Sequence, residues 1–345
     1  MSVATAFSAR VLSALILLGA GLLLPAAASA QTLEKVKARG SVNCGVNPAL
    51  PGFSARDAQG NWSGFDIDLC RALAAAIFND PGKVQYTPLS TTERLPALQA
   101  DKIDVLSRNT TWTFSREAPL RLNFTAVTYY DGQGFLVRRS TNATSALELN
   151  GASICVQKDT TSELNVADFF RANNMKFQIV ALPTAEEMLK AYDSGTCSVA
   201  TSDTSQLFAA RLALKSPDDH VVLPDIISKE PLGPFVRSGD DQWLGIVKWA
   251  HFAMVNAEEL GVTSKTIDEA LKSTKPDVRR LVGTEENYGE QLGLTKDWVV
   301  RIVRHVGNYG EIFERNVGTG SRLAIPRGIN SLWTNGGIQY APPIR

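Results

Sequence analysis

The sequence predicts an α/β protein built as two lobes, each a mostly parallel sheet flanked by helices. Two observations carry this expectation. Short apolar runs of strand length alternate with stretches of helical periodicity in two successive series, the pattern of parallel sheets covered by helices. The chain has 345 residues, and removing an expected 30-residue leader leaves 345 − 30 = 315, beyond the size at which a single core usually stops growing.

The leader is read from Arg10, a nearly unbroken apolar run from Val11 to Pro25, and small residues ending Ala28-Ser29-Ala30. That order is the pattern of a secretory signal peptide, with cleavage expected before Gln31. The run is too short and Ala-rich for a membrane anchor, which needs roughly 20 apolar residues. No cysteine stands at the cleavage point to carry a lipid. A freely soluble protein of a Gram-negative periplasm is therefore expected. The 35 basic and 35 acidic residues balance, so nothing points to nucleic acid or an anionic membrane as a partner.

In order along the chain, residues 33–39 read as a helix and 41–46 as the first strand. A turn-rich loop follows that nonetheless holds two large apolar side chains, Leu50 and Phe53, which either pack inward or wall a pocket. Ile67, Leu69, Cys70, Leu73, Ala74 and Ile77 recur at helical spacing over residues 66–78. A strand over 84–86, a helix over 93–100 and a strand over 103–106 complete a β-α-β-α-β series. Residues 129–134 break the pattern. A strand over 135–137 resumes it, and a second series follows: strand 153–156, helix 163–172, strand 178–180, helix 185–193, strand 198–201. A further strand over 233–236 precedes a long helix over 240–260, with Trp243, Ile246, Val247, Ala250 and Met254 on one face. The remainder mixes short helices with a Gly- and Pro-rich tail.

Three polar stretches fall at the C-terminal ends of strands, where open α/β sheets bind ligands. Residues 107–116 read as a loop in which Ser107, Asn109, Thr110 and Thr111 accompany Arg108 and Arg116. A guanidinium fork with hydroxyl and amide groups beside it suits a carboxylate; a plain surface loop would have the same polarity. Residues 156–161 join a strand to a helix and serve either as its cap or as an anion site. Residues 200–204 offer one carboxylate, Asp203. Cys44, Cys70, Cys155 and Cys197 allow three connectivities. The pairs Cys44–Cys70 and Cys155–Cys197 are favoured, since each closes within one lobe, with buried free thiols as the alternative. The three histidines, His220, His251 and His305, are scattered, so no metal site or cofactor is expected.

Several of these residues, in this order, resemble one family: Gly64-Phe65-Asp66-Ile67-Asp68, Ala97-Leu98-Gln99 through Ile103-Asp104-Val105-Leu106, the turn Thr113 to Arg116, Tyr129-Tyr130, Val156-Gln157 with Thr160-Thr161, and Glu230-Pro231-Leu232-Gly233. They resemble the polar amino-acid-binding proteins of ABC transporters (solute-binding family 3). The extended form of residues 107–113, the segment 308–316 and the terminal 336–345 are similar to its general L-amino-acid-binding (Aap/Bzt-type) branch. The resemblance implies a type II-like periplasmic-binding-protein fold, two lobes joined by two strands, with the ligand trapped between them. It implies a division into signal peptide 1–30, first part of lobe 1 over 31–134, lobe 2 over 135–232, and a return to lobe 1 with a C-terminal extension over 233–345.

By the same resemblance Arg116 pairs with the ligand's α-carboxylate, with Asn109 and Thr111 beside it. Thr160 reaches that carboxylate from the other lobe, and Asp203 holds the α-ammonium group. Leu50 and Phe53 lie in the loop that usually supplies a wall to the ligand side chain. Arg108 stands where a small residue is usual and either orients its loop or extends the site toward acidic side chains. Lys158-Asp159 replace a usual Ser-Gly pair. The implied function is capture of L-amino acids, polar, acidic and others, and delivery to an ABC permease by a monomer with no catalytic activity. The alternative is a periplasmic enzyme on the same fold, similar to cyclohexadienyl dehydratase.

Overall fold

The computed structural model describes residues 32–345, and the expected signal peptide lies outside the described residues. Helix α1 (Thr32–Arg39) leads into β1 (Val42–Val46), and the next loop carries a short hairpin of β2 (Ala55–Arg56) and β3 (Trp62–Ser63). Then come α2 (Phe65–Phe78), β4 (Val84–Pro88), α3 (Arg94–Gln99) and β5 (Val105–Thr111). Strands β4 and β5 pair in parallel on either side of β1. The strand order thus reverses at β1, and a crevice opens beyond the carboxyl ends of β1 and β5. Short α4 (Phe114–Glu117), β6 (Leu122–Phe124) and β7 (Tyr129–Asp131) follow.

The chain then enters a second sheet with β8 (Gln133–Arg138), β9 (Ala152–Gln157), α5 (Thr161–Ala172), β10 (Phe177–Leu182), α6 (Ala185–Asp193), β11 (Val199–Asp203), α7 (Thr204–Leu212) and β12 (His220–Val222). Its order is β10-β9-β11-β8-β12. Strand β9 lies between its parallel neighbours β10 and β11, so the same reversal recurs. The chain returns through β13 (Glu230–Arg237), which pairs antiparallel with β5, β6 and β7 in the first sheet.

The two crossings between sheets lie at Gly132 and between Val222 and Glu230, and they run close together. A Cβ on Gly132 would fall 2.2 Å from Ile226 Cγ2 and 2.9 Å from the Ser228 carbonyl oxygen, which only glycine avoids.

The rest of the chain thickens the first lobe with α8 (Asp241–Glu259), α9 (Ile267–Ala270), α10 (Pro276–Leu281), α11 (Tyr288–Gln291), α12 (Trp298–Val306) and α13 (Tyr309–Asn316). Helices α8, α12 and α13 pack against α2. The periodicity of α8 does what it predicts: Trp243, Ile246, Val247, Ala250 and Met254 are buried. Trp243 also donates its indole N–H to the Asp104 carbonyl at 2.9 Å. The C-terminal tail closes on β7, where Asn330 accepts from the Tyr130 N–H (2.7 Å) and donates to the Tyr130 carbonyl (2.9 Å). Two disulfides, Cys44–Cys70 and Cys155–Cys197, have Cα separations of 6.2 and 5.6 Å. The first ties β1 to α2, and the second ties β9 to the segment before β11.

Two expectations about elements need correction. Residues 107–111 are not loop but the second half of β5, and every residue of Val105–Thr111 is buried. Their hydroxyls are satisfied inside the protein: Ser107 Oγ donates to the Asp66 carbonyl (3.0 Å), and Thr111 Oγ1 donates to the Glu230 carboxylate (2.6 Å). Polarity mimicked a surface loop because buried polar groups need partners, and those partners lie far away in sequence. Residues 129–131 likewise form β7 rather than a break.

Candidate functional site

The carboxyl ends of β1 and β5 face those of β9 and β11 across a cleft enclosing about 360 Å³ of empty space, part of it open to solvent. The first sheet contributes Asn47 after β1, Thr91 and Arg94 after β4, Arg108, Asn109 and Thr111 from β5, and Arg116 from α4. The second contributes Gln157 from β9, Thr160, Thr161 and Ser162 from the start of α5, and Ser202, Asp203 and Gln206 around the end of β11. The lining is almost wholly polar, and its charged members are three guanidinium groups and one carboxylate.

Arg116 is partly buried and donates from Nη1 to the Thr111 carbonyl at 3.0 Å. Burial lowers its pKa, opposed by the carboxylates of Asp203 and Glu230. Asp203 is 4% exposed. Burial pushes its pKa well above the usual carboxylate range, and the nearby Asp131 and Glu230 push it further. Gln206 Nε2 donates to Asp203 Oδ2 at 2.9 Å and, with Arg116, opposes the shift. A desolvated carboxylate with one amide donor is a strong seat for a cation.

Asn109 adopts φ +32°, a conformation asparagine tolerates better than most residues. Its N–H donates to Asp66 Oδ2 at 2.9 Å, and its side-chain oxygen accepts from Asn47 Nδ2 at 3.1 Å. Arg108 is buried, with Nε on the Leu89 carbonyl at 2.9 Å. Burial lowers its pKa to about 10, with Asp66 opposing, so it stays charged. Burial likewise raises Asp66 to about 7, against the pull of the Asn109 N–H and Arg108. Thr160 caps α5, accepting from the Glu163 N–H at 3.3 Å and donating to the Gln157 carbonyl at 2.7 Å. The cap reading of this stretch is therefore correct, and Thr160 also lines the cleft.

Six of the eight residues singled out from the sequence, Arg108, Asn109, Thr111, Arg116, Thr160 and Asp203, thus line one cleft. Leu50 and Phe53 do not. Both are buried in the core of the first lobe, where the Phe53 ring meets Tyr129 edge-on at 5.2 Å and lies 6.2 Å from Phe65. Of the two readings of that loop, packing holds, because the chain folds back so that Leu50 bridges Ser54 and its apolar side chains turn inward. Sequence reasoning missed Arg94, Thr91 and Gln206. Arg94 had a signal: a cation in the first turn of a helix opposes the helix dipole.

Two further contacts join the lobes. Gln157 Nε2 donates to Thr91 Oγ1 across the cleft at 2.8 Å. Glu230, 1% exposed, accepts from Thr111 of the first sheet (2.6 Å) and from Thr161 (2.9 Å) and Asn165 (2.8 Å) of α5.

Residues 42–267 match the bacterial extracellular solute-binding proteins, family 3. This chain belongs to that family. It is 58% identical over 321 residues to the general L-amino acid-binding periplasmic protein AapJ of Rhizobium johnstonii, covering 92% of this chain and 94% of that one. It is 50% identical over 324 residues to the glutamate/glutamine/aspartate/asparagine-binding protein BztA of Rhodobacter capsulatus, covering 94% and 96%. A solved ABC transporter periplasmic binding protein from Brucella ovis, with glutathione bound, superposes with a TM-score of 0.90 at 55% identity, covering 92% of this chain and all of that one. The two-lobe solute-binding fold implied by the sequence is thus the fold of this protein.

Proposed function

We propose that this protein binds L-amino acids in the cleft and delivers them to an ABC permease. The observation that carries the reading is that Arg116 and Asp203 line the same cleft from opposite sheets. Every α-amino acid presents a carboxylate and an ammonium group, and burying either unpaired is costly. Arg116 takes the carboxylate, with Thr111 and Asn109 beside it and Thr160 from the second lobe; Asp203 takes the ammonium. A ligand bridging both lobes stabilises the closed state through contacts that the open state lacks. The expected boundaries at 134 and 232 move to the crossings, so that the moving units are the first sheet with its helices, residues 32–131 and 230–345, and the second, residues 133–222. The names of AapJ and BztA support an amino-acid ligand, and the leader pattern supports a periplasmic location.

A catalytic role has less support. A dehydratase needs a positioned general acid, and Glu93, which with Asp203 is a candidate for that role, accepts from the Ser90 N–H and hydroxyl (3.0 and 2.6 Å) and does not line the cleft. The test is a thermal-shift screen against all proteinogenic amino acids, followed by calorimetry of the hits. Several hits are expected. An absence of any hit, or consumption of prephenate by the purified protein, would overturn the reading.

A further inference from the structure

We infer that Asp131 is a positioning residue for ligand binding: reaching from the first lobe, it caps α7 in place of Asp203, which leaves the Asp203 carboxylate free to face the cleft. The inference rests on the amino-acid reading above and deepens it, because it says what fixes the seat of the ammonium group.

Helix α7 starts directly after Asp203. The first N–H groups of a helix have no partner within it, and an aspartate at the N-cap position ordinarily turns its carboxylate back to accept from the second or third of them. Asp203 occupies that position and makes no such bond. Its carboxylate lines the cleft instead, where Gln206 Nε2 donates to Oδ2 at 2.9 Å. The capping falls to the residues at the crossing. The Gly132 carbonyl accepts from the Thr204 N–H and from Thr204 Oγ1, both at 2.8 Å, and Asp131 Oδ2 accepts from the Ser205 N–H at 3.3 Å. Asp131 Oδ1 accepts from the Gly132 N–H at 2.9 Å, so one carboxylate fixes both the crossing and the start of the helix.

The two aspartates belong to different lobes: Asp131 ends β7 and pairs with Glu230 in the first sheet, whereas Asp203 ends β11 of the second. A helix stabilised for its own sake would use Asp203, which already stands at the N-cap and is of a favoured residue type there. Capping from the other lobe also sets two carboxylates against each other. After burial, Asp131 is the next influence holding the Asp203 carboxyl above its usual range. That repulsion is a cost to the empty protein, and a cation on Asp203 removes it. Both the borrowed cap and the opposed charges are thus explained by a ligand ammonium and by nothing in the stability of α7.

The experiment is calorimetry of wild type, Asp131→Ala and Asp131→Asn with glutamine and glutamate, together with the melting temperature and crystal structure of each protein without ligand. Asp131→Ala is expected to weaken both ligands by about tenfold or more, the scale of a lost charge-assisted contact. Its crystal structure is expected to show the Asp203 carboxylate turned back to accept from the Ser205 or Gln206 N–H. Its melting temperature is expected to change little, because Asp203 then supplies the cap. Asp131→Asn keeps an acceptor for the Ser205 N–H and is expected to lose less than about fivefold, the scale of a weakened cap, with Asp203 left facing the cleft. Unchanged affinity in Asp131→Ala would overturn the inference. So would a lowered affinity with Asp203 unmoved and the melting temperature reduced, which would assign Asp131 to the stability of the crossing. Both of these outcomes leave the amino-acid reading intact, since the wild type still binds; a wild type that binds neither ligand would overturn both.

Discussion

At the residue scale, the proposed function sets Arg116 and Asp203 against the two charges that every amino acid brings, so their removal is expected to affect all ligands alike. Arg116→Ala is expected to weaken every amino acid by about 2–5 kcal/mol, the cost of truncating one partner of a buried charge pair. Arg116→Lys is expected to fail nearly as badly for want of the fork. Calorimetry with glutamine and glutamate checks both. Burial raises Asp203 well above its ordinary range and Asp131 to about 6. A carboxylate whose folded pKa is raised contributes stability below its unfolded pKa and loses it as pH climbs through the folded value. For Asp131 that loss accumulates as pH rises from 3.8 to about 6 and for Asp203 it continues to higher pH, and an ammonium on Asp203 relieves the penalty. The ligand-induced melting shift is expected to be larger at pH 8 than at pH 5, and the difference to shrink in Asp203→Asn. His251, buried and held near 4, destabilises the fold between pH 6.5 and 4 in both liganded and empty protein, so it cancels in that comparison. The cleft residues legible in the sequence were those in the polar stretches at strand ends, charged or not: Arg108, Asn109, Thr111, Arg116, Thr160 and Asp203. Arg94 was passed over because it lies inside a stretch read as helix rather than in a polar strand-end loop, and Leu50 and Phe53 misled because side-chain direction in a loop is set by folding back, not by composition.

At the scale of elements, the helices were the most legible part. The apolar face of α8 lies where its spacing puts it, and α6 spans residues 185–193 as expected, its start closed by a Thr184–Glu187 capping box. Strand β5 was half hidden, because its buried surface is hydroxyls and amides whose partners come from α2 and β13. Short β6 and β7 escaped for lack of length. The disulfides followed from lobe assignment, and they brace the elements that present the site: Cys155–Cys197 joins β9, which ends at Gln157, to the start of β11, which ends at Asp203. Replacing both cysteines with serine is expected to cost about 2–4 kcal/mol of stability, read as a lower denaturant midpoint, with ligand affinity little changed once the lobe is folded.

At the scale of the whole molecule, Glu230 is where the lobes meet, its carboxylate shared between β5 and α5. Under the proposed mechanism these bonds belong to the closed form. Glu230→Ala is expected to weaken ligand binding by about 1.5–3 kcal/mol and to leave the liganded protein more extended in small-angle scattering; an unchanged radius of gyration would count against a closing role. The C-terminal appendage, which the sequence left without a role, acts on the same region. Asn330 holds both backbone groups of Tyr130, one residue before the crossing strand's last position in the first sheet. Gln339 Nε2 donates to the Thr128 carbonyl at 3.3 Å, and the Tyr309 hydroxyl donates to the same oxygen at 3.0 Å. The residues leading into one of the two connections are thereby fixed by the appendage. Under the proposed closure, residues ordered in advance surrender less freedom when the lobes meet, so the appendage is expected to convert chain length into affinity by entropy rather than by contact.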